Sequence, residues 1–560
     1  MGCKGVAMQS NRVIIWGAGK IGRGLAGDLF QEVGKTLTFV DSNQDLVEEL
    51  NRVKAYTVYN HSKQGQTQVR VKIEEALLPQ DPLLSERLKE ANLLFLAVQP
   101  ANLEESIKAL SLHLEKREIE APLDIWLCLN MDGAKATALT YFEENLSAAA
   151  WQYFKAKVGL AETIVIRMAV EPQQAEPLAV LTNGYTPLIV DLEGLKTPPL
   201  KSDSIVYSSE FAKEQERKFL TYNMAHAIIA YGGTLIGEKY VFDAISKALI
   251  ALIVRGALDE VSQALQRTLG YSSEAMEQWN RAVMDNMANP FLNDTLKRVG
   301  SNVKRKITRE ERLLKGALLC RSLGIMPYYL YLGLALAYCN GDPEIEEYIA
   351  VYGFKAALQR FSGLDKELDA LYLIGEHYKM IQRGELSTLI EREEEITLAK
   401  RLYKEGFNNE LVSRGCGQCA IKTFTDLYGN PTKETFQAAT AFSGGMSLAG
   451  DGVCGGYSGA LLVMGSFIGR RYDHLDDGDK VRQYKAYEMG QKLREKFLEA
   501  FGSVICSEVQ RGIFGQPYPL LTKTIRNEFE EAGAHRDKCT SVIALSSVLI
   551  GELLREEGLI

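Results

Sequence analysis

The stretch Gly17-Ala18-Gly19-Lys20-Ile21-Gly22 constrains this chain more than any other. It follows a short β-branched run, Asn11-Arg-Val-Ile-Ile-Trp16, and opens a helical pattern that continues through Leu29 and Phe30. Glycines spaced GxGxxG between a strand and a helix each answer a separate need. The first permits the tight turn, the second lets backbone approach a pyrophosphate, and the third lets the helix lie close on the strand. The phosphates then sit on the helix N-terminus. A second strand, Leu37-Thr-Phe-Val40, runs into Asp41, nineteen residues after Gly22. A carboxylate there accepts bonds from ribose hydroxyls and repels a 2′-phosphate, which favours NAD over NADP. The pattern predicts an α/β dinucleotide-binding domain; the alternative is a glycine turn that only packs two elements. Asn92-Leu-Leu-Phe-Leu-Ala-Val98 reads as a further buried strand. Ligands gather at the carboxyl ends of parallel strands, so Ala97 and Val98 are expected at the cofactor together with Gly17 to Gly22 and Asp41. Asp124-Ile-Trp-Leu-Cys-Leu-Asn130 ends in the same way and places Asn130 where nicotinamide and substrate would meet; a strand-end turn is its other reading.

At 560 residues the chain has room for about three domains. A formal charge of -8 leaves no basic footprint and argues against nucleic acid as a partner. Apolar runs such as Ala248–Val254 stop short of the roughly eighteen residues a membrane span needs. The first ten residues lack an apolar signal core, and Val6 breaks the acylation pattern, so a cytoplasmic protein with a small-molecule substrate is expected. Oligomeric state is not encoded in any feature we recognise. Tyr153-Phe-Lys-Ala-Lys157 fits YxxxK, but the glycine spacing and the lack of a suitable upstream serine speak against a short-chain dehydrogenase. The first 400 residues hold no grouped Cys and His ligands for a catalytic zinc.

From Val158 to Val190 the pattern is strand-rich, and after Ser208 it is almost wholly helical to about Arg383. Within that region Lys218-Phe-Leu-Thr-Tyr-Asn223-Met-Ala-His226 opens a proline-free apolar run. At about 100° per residue, Lys218, Tyr222, Asn223 and His226 share an arc of roughly 140°. Burying a cation, an amide and an imidazole without partners costs roughly 1–3 kcal/mol each, so partners must exist: either neighbouring loops or a substrate.

Lys218, Asn223 and His226 match the KxxxxNxxH signature of the polyol-specific long-chain dehydrogenases, and the chain resembles that family over about residues 11–382. Gly17–Gly24, Phe39-Val-Asp41, Asn130-Met131, Asn289-Pro-Phe-Leu292 and Arg298-Val-Gly300 follow in family order, with the greatest likeness to the mannitol 1-phosphate 5-dehydrogenase branch. The resemblance implies a metal-independent hydride transfer between NAD and a polyol or polyol phosphate, yielding the keto sugar. It implies Lys218 as general base, Asn130 and Asn223 as donors to the developing alkoxide, and His226 as a substrate or lysine partner. Arg167 matches a family arginine and is expected to bind substrate. Arg298, Arg305 and Lys306 form a cationic segment suited to a phosphate or carboxylate, or else a solvated turn. Two family carboxylates are replaced, by Leu129 before Asn130 and by Ile166 before Arg167. Their loss puts the sugar's identity in doubt and leaves a second reading, an NAD-binding sensor or scaffold without turnover.

Five of nine cysteines crowd into the last 145 residues. After the charged run Glu391–Glu395 come Cys416-Gly-Gln-Cys419, a glycine-rich stretch from Phe442 to Gly459 that contains Cys454, then Cys506 and Cys539. This order resembles the C-GCAxxG-C-C family, to which redox activity is ascribed; Cys419, Cys454, Cys506 and Cys539 match and Cys416 is additional. Clustered thiols could cycle as a dithiol pair or hold zinc or an iron–sulfur cluster, while buried structural cysteine is the plainer reading. A thiol or metal electron-transfer protein using NADH is therefore a third reading. The expected organisation is an NAD-binding Rossmann-type domain over 1–207, a mainly helical catalytic domain over 208–384, a linker at 385–393, and a mainly helical cysteine domain over 394–560.

Overall fold

The computed structural model describes residues 11–62, 65–116, 121–131, 133–172, 176–184, 187–475 and 479–560. The first ten residues, with Cys3, lie outside the described residues. The strand Arg12–Trp16 sits inside an eight-stranded sheet. The order across it is Ile205–Ser208, Leu188–Asp191, Val158–Ile164, Leu123–Leu127, Ala91–Leu96, Arg12–Trp16, Thr36–Val40, Glu75–Leu77. Every pairing is parallel except that of Leu188–Asp191 with Val158–Ile164. Buried on both faces, the central strands must be apolar throughout, which explains runs such as Val13-Ile14-Ile15. Alternate side chains feed two cores. Val13 and Ile15 join Phe30, Phe39, Phe95 and Trp126 on one face; Ile14 and Trp16 join Leu94, Leu96, Ile125 and Phe142 on the other.

From Arg12–Trp16 the chain first moves outward to Thr36–Val40 and Glu75–Leu77, then returns to the opposite side of the first strand at Ala91–Leu96. That reversal is a topological switch point, and the carboxyl ends flanking it form a ligand crevice. A second, four-stranded sheet of Gly65–Lys72, Ala55–Ser62, Val180–Thr182 and Ala169–Val170 was not foreseen from sequence.

By packing the chain divides into two units, Met1–Lys218 with Ala288–Asn293, and Phe219–Met287 with Asp294–Ile560. The second is helical. Its centre is Tyr328–Tyr338, buried on every side, as a helix without a polar face must be. The cysteine-bearing tail packs within the same unit through Glu393–Ser413 and Cys539–Glu556, where a Cβ on Gly551 would lie 2.1 Å from Leu402 Cδ1. The charged run at 391–395 places Glu393, Glu394 and Glu395 in the first turn of Glu393–Ser413, the end where carboxylates favour the helix dipole. Just before it, Leu386 and Leu389 are buried. Among the described residues no helix is long and apolar enough to cross a membrane.

Candidate active site

The glycine loop is built by close backbone approaches. Gly17 adopts φ +97°, and a Cβ there would lie 2.2 Å from the carbonyl oxygen of Ala97, at the end of the neighbouring strand. Its amide donates to Val40 O at 2.7 Å, and Ala97 N donates to Trp16 O at 2.7 Å, so the loop is pinned to both flanking strands. Gly22 packs so tightly that a Cβ would lie 1.9 Å from Gly17 O, whereas Gly19 has open space around it. A tight first glycine, an open second and a packed third are what a pyrophosphate requires. The following segment starts as a π turn, Gly22–Gly27, before the α-helix Asp28–Glu32. Asp41 accepts from Ala18 N at 2.8 Å and from Asn43 N at 2.9 Å, which holds its carboxylate at the mouth of the loop. Lys20 is exposed and Ile21 half-buried beside it, and Val98 Cγ1 lies 3.3 Å from the position of a Gly17 Cβ. All the expected cofactor residues therefore meet at the switch point, and they fit a dinucleotide. Gly17→Ala forces a side chain into a left-handed conformation and against a backbone oxygen. Strain of about 1–3 kcal/mol at the loop is expected to weaken NADH binding by roughly ten- to hundredfold, measured by fluorescence titration.

Lys218 ends the helix Phe211–Lys218 and is half-buried. Its ammonium lies within electrostatic reach of Cys128, just past the strand Leu123–Leu127; burial pushes that thiol up to about 12 while Lys218 and a bond from Thr163 oppose it. Lys218 thus stands near the carboxyl end of Leu123–Leu127, the strand that pairs with Ala91–Leu96. Asn130 is exposed two residues beyond Cys128. Leu129, where the family has a carboxylate, packs with Met131 against the apolar cluster of that face. Ile166 is likewise buried. Arg167 is 7% exposed; its Nη1 donates to Asp28 Oδ2 at 2.5 Å and to Gly24 O at 3.2 Å, and it lines a cavity of about 530 Å³ with Asp28, Asn60 and Gly184. The family-like Asn289 donates to His61 O at 2.7 Å, and Phe291 packs edge-on to the His61 ring.

In the second unit a π turn, Phe219–Asn223, leads into the helix Met224–Leu235. Asn223 is half-buried. Tyr222 Oη accepts from Asn286 at 2.6 Å, and Trp279 donates to the buried Thr221 at 2.7 Å, fixing the turn. His226 Nε2 stands 3.1 Å from Asp294 Oδ2, too poorly aligned to count as a hydrogen bond. Burial lowers the imidazole below its ordinary value; Asp294 opposes this, and Arg298 and Lys306 reinforce it. Asp294 also takes a bidentate pair from Arg298, at 2.7 and 2.5 Å. Arg305 pairs with Glu311, and Lys306 is buried with Nζ donating to Val299 O at 2.5 Å. Asp294 and Glu311, the carboxylates beside His226, Arg298 and Arg305, were not singled out in the sequence. Asp294 had a signal, since it lies four residues before Arg298.

The five tail cysteines are free thiols, and four stand at helix starts. Cys416, Cys506 and Cys539 begin Cys416–Tyr428, Cys506–Phe514 and Cys539–Glu556, and Cys454 caps Gly455–Ile468. Cys454 N donates to Val504 O and Cys506 N to Gly452 O, which ties two of these starts together. The preceding loop runs left-handed through Gly444, Gly445, Met446, Ser447 and Leu448, a conformation that costs each non-glycine residue about 1–2 kcal/mol. Gly445 is required there, because a Cβ would lie 2.7 Å from Cys506 Cβ. Cys419 donates to Arg414 O at 3.2 Å. Burial, then the Glu410 carboxylate, pushes Cys416 up to about 12 and Cys419 and Cys539 upward as well. Burial with Cys506 beside it raises Cys454 to about 12, and burial with Cys416 does the same to Cys506. Glu410 is buried with one oxygen unpartnered among the described residues and the other 3.5 Å from His535 Nε2. Among the described residues no group of three or more His, Cys, Asp or Glu is placed to hold a metal ion. Thiolate, not thiol, is the nucleophile, and its fraction rises about tenfold per unit fall in pKa. Glu410→Gln is therefore expected to speed iodoacetamide alkylation of Cys416 several-fold at about pH 8; an unchanged rate would leave burial as the sole restraint.

A switch-point glycine loop with an acid on the second strand, joined to a helical region bearing a lysine, an asparagine and a histidine, defines a dinucleotide-dependent dehydrogenase fold. Residues 11–202 match the family model of the mannitol dehydrogenase Rossmann domain, residues 212–379 that of the mannitol dehydrogenase C-terminal domain, and residues 415–553 the C_GCAxxG_C_C family. The chain carries both domains of the mannitol dehydrogenase family, followed by a C_GCAxxG_C_C domain. The mannitol-1-phosphate 5-dehydrogenase of Halalkalibacterium halodurans is 28% identical over 361 residues, 63% of this chain and 96% of the relative. That of Oceanobacillus iheyensis is 29% identical over 379 residues, 66% and 98% respectively. Among solved structures, the Pseudomonas fluorescens mannitol 2-dehydrogenase complex with NAD and D-mannitol aligns at TM-score 0.53 and 14% identity, covering 69% of this chain and 94% of that one. A substrate-free D-sorbitol dehydrogenase aligns at TM-score 0.56 and 13% identity, covering 67% and 93%. At these identities the structural likeness speaks to fold alone.

Proposed function

We propose that this protein is an NAD-dependent, metal-independent oxidoreductase that interconverts a polyol or polyol phosphate and its keto sugar in the cytoplasm, with Lys218 as general base. The observation that carries the reading is the glycine loop at the switch point, with Lys218 at the carboxyl edge of the same sheet. NAD supplies the hydride acceptor. Lys218 takes the proton of the reacting hydroxyl and returns it in the reverse direction. A lysine accepts a proton only when uncharged, and a free side chain titrates at ~10.4. Asn130 and Asn223 donate amide hydrogens to the oxygen as charge develops, and a donor of this kind is worth roughly 3 kcal/mol. His226, kept neutral by burial, bonds a further substrate hydroxyl, and Arg298 and Lys306 bind the far end of the substrate. Arg167, drawn to Asp28, contributes by shaping the loop side of the site.

We further propose that the tail cysteines act as a dithiol–disulfide module, a reading supported by their convergence at helix starts and by the C_GCAxxG_C_C match. The test of the dehydrogenase is NADH formation from a panel of alditols, alditol phosphates and aldonates. Turnover of at least one alditol or alditol phosphate is expected; NADH binding with silence across the panel would instead indicate a sensor.

A further inference from the structure

The five tail thiols differ in exposure and in the groups around them. Cys419, Cys454 and Cys506 are 1%, 7% and 7% exposed, while Cys416 and Cys539 are half-buried. A reagent from solution therefore meets one of the last two first. Cys416 begins the thirteen-residue helix Cys416–Tyr428, and Gly444 N donates to its sulfur at 3.5 Å. The buried Ser443 hydroxyl lies in reach of the same sulfur, and both groups oppose the rise in the thiol's pKa. At Cys539, burial, Glu410 and three neighbouring thiols all push the thiol the other way.

Two helix starts meet at Cys416. A Cβ on Gly455, the residue after Cys454, would lie 2.2 Å from Cys416 Sγ and 2.7 Å from Gly417 N, so the sulfur rests on bare backbone. One turn on, a Cβ at Gly459 would lie 2.6 Å from Gly417 O. Cys454 caps Gly455–Ile468, where the amides of Gly456 and Tyr457 reach its sulfur. Cys416 and Cys454 lie within electrostatic reach of each other. Cys506 is the alternative partner, but Gly445 covers its Cβ and Gln510 Nε2 donates to its sulfur at 3.6 Å.

We infer that Cys416, the thiol outside the C_GCAxxG_C_C signature, is the residue that a low-molecular-weight disulfide meets first, and that it then closes onto Cys454. The inference rests on the dithiol–disulfide reading of the tail and adds to it the entry point and the pair. The Cys416 thiolate attacks one sulfur of the disulfide RSSR; a new Sγ–S bond replaces the S–S bond, and RS⁻ leaves. The Cys454 thiolate then attacks Cys416 Sγ, which forms the internal disulfide and expels the second RS⁻. The two thiol protons depart on two RSH; the protein dithiol loses two electrons and RSSR gains them. In the reverse direction an incoming thiolate attacks Cys416, the more exposed end of the bond. Cys454 leaves as a thiolate whose charge the Gly456 and Tyr457 amides partly offset, and a stabilised thiolate leaves faster.

The experiment uses the full chain. The reduced protein is incubated with glutathione disulfide at about pH 8, quenched with acid, alkylated and mapped by peptide mass spectrometry, with glutathione release followed in time. A Cys416–Cys454 link is expected, with two glutathiones released for each link formed. Cys454→Ser should stop at the mixed disulfide, with glutathione retained on Cys416. Cys416→Ser should carry no such adduct and slow glutathione release by about tenfold or more. Mapping of the parent protein decides the pair even where a serine variant fails to fold. A link between Cys454 and Cys506, or an adduct on Cys539 formed at the parent rate in Cys416→Ser, overturns the inference and leaves the dithiol reading standing. Thiols that stay free at every glutathione disulfide concentration reject both.

Discussion

Lys218→Ala is expected to lower kcat for polyol oxidation by about 10²–10⁴-fold, the usual worth of a positioned general base, while NADH affinity stays within about twofold. The two effects separate because the glycine loop and Asp41 are pinned by bonds that do not involve Lys218. The base must be neutral to accept a proton, so the parent protein should show kcat rising with pH through an acid limb, and that limb should vanish in the variant. A small primary amine added to Lys218→Ala should restore part of the rate, since it can occupy the space of the missing side chain. If kcat and the pH profile are unchanged, proton removal does not pass through this amine. Lys306, lowered to about 8, would then be the next candidate.

Arg321→Met should destabilise the second unit by about 3–5 kcal/mol. Arg321 and Asp369 are each 2% exposed, and three N···O contacts between them lie at 2.8–3.1 Å. Asp369 also accepts from Tyr403 Oη at 3.2 Å, and Arg321 Nη1 reaches Asp537 Oδ2 at 3.2 Å. These partners span four elements: Arg312–Ser322, Leu368–Gln382, Glu393–Ser413 and the π turn Ala534–Lys538 that precedes Cys539. Removing the cation leaves a buried carboxylate uncompensated, and that desolvation, more than the lost attraction, sets the cost. The double change Arg321→Met with Asp369→Leu should recover most of it. Urea midpoints followed by circular dichroism test this; a single variant that unfolds like the parent would show that water already screens the pair. Because the network reaches the turn before Cys539, alkylation of Cys539 should also accelerate in the single variant.

The dinucleotide loop was legible because each glycine answers a local demand, and Asp41 because strand length fixes where a carboxyl end falls. The helical character of residues 219–235 was legible too, but not the π turn at Phe219–Asn223, since an apolar period cannot distinguish a five-residue turn from an α-helical one. Arg167 could be matched to a family position, yet its partner Asp28 lies 139 residues earlier, and no spacing rule links them. The sheet built on Ala55–Ser62 and Gly65–Lys72 escaped notice for a related reason: the strand that pairs with Ala55–Ser62, Val180–Thr182, comes from far along the chain. Cysteine crowding was visible, but not its consequence. Burial raises the thiols and no metal-binding set forms among the described residues, which only packing reveals.

The measurement that bears most directly on the proposed chemistry is isotopic. The full chain is incubated with NAD and alditols or alditol phosphates deuterated at the carbinol carbons, and the reduced nicotinamide is examined by mass spectrometry and proton NMR. The account predicts deuterium at the nicotinamide C4 position with at least one of these substrates, and its disappearance in Lys218→Ala. Reduced nicotinamide that forms without deuterium, or transfer that persists undiminished without Lys218, would contradict it.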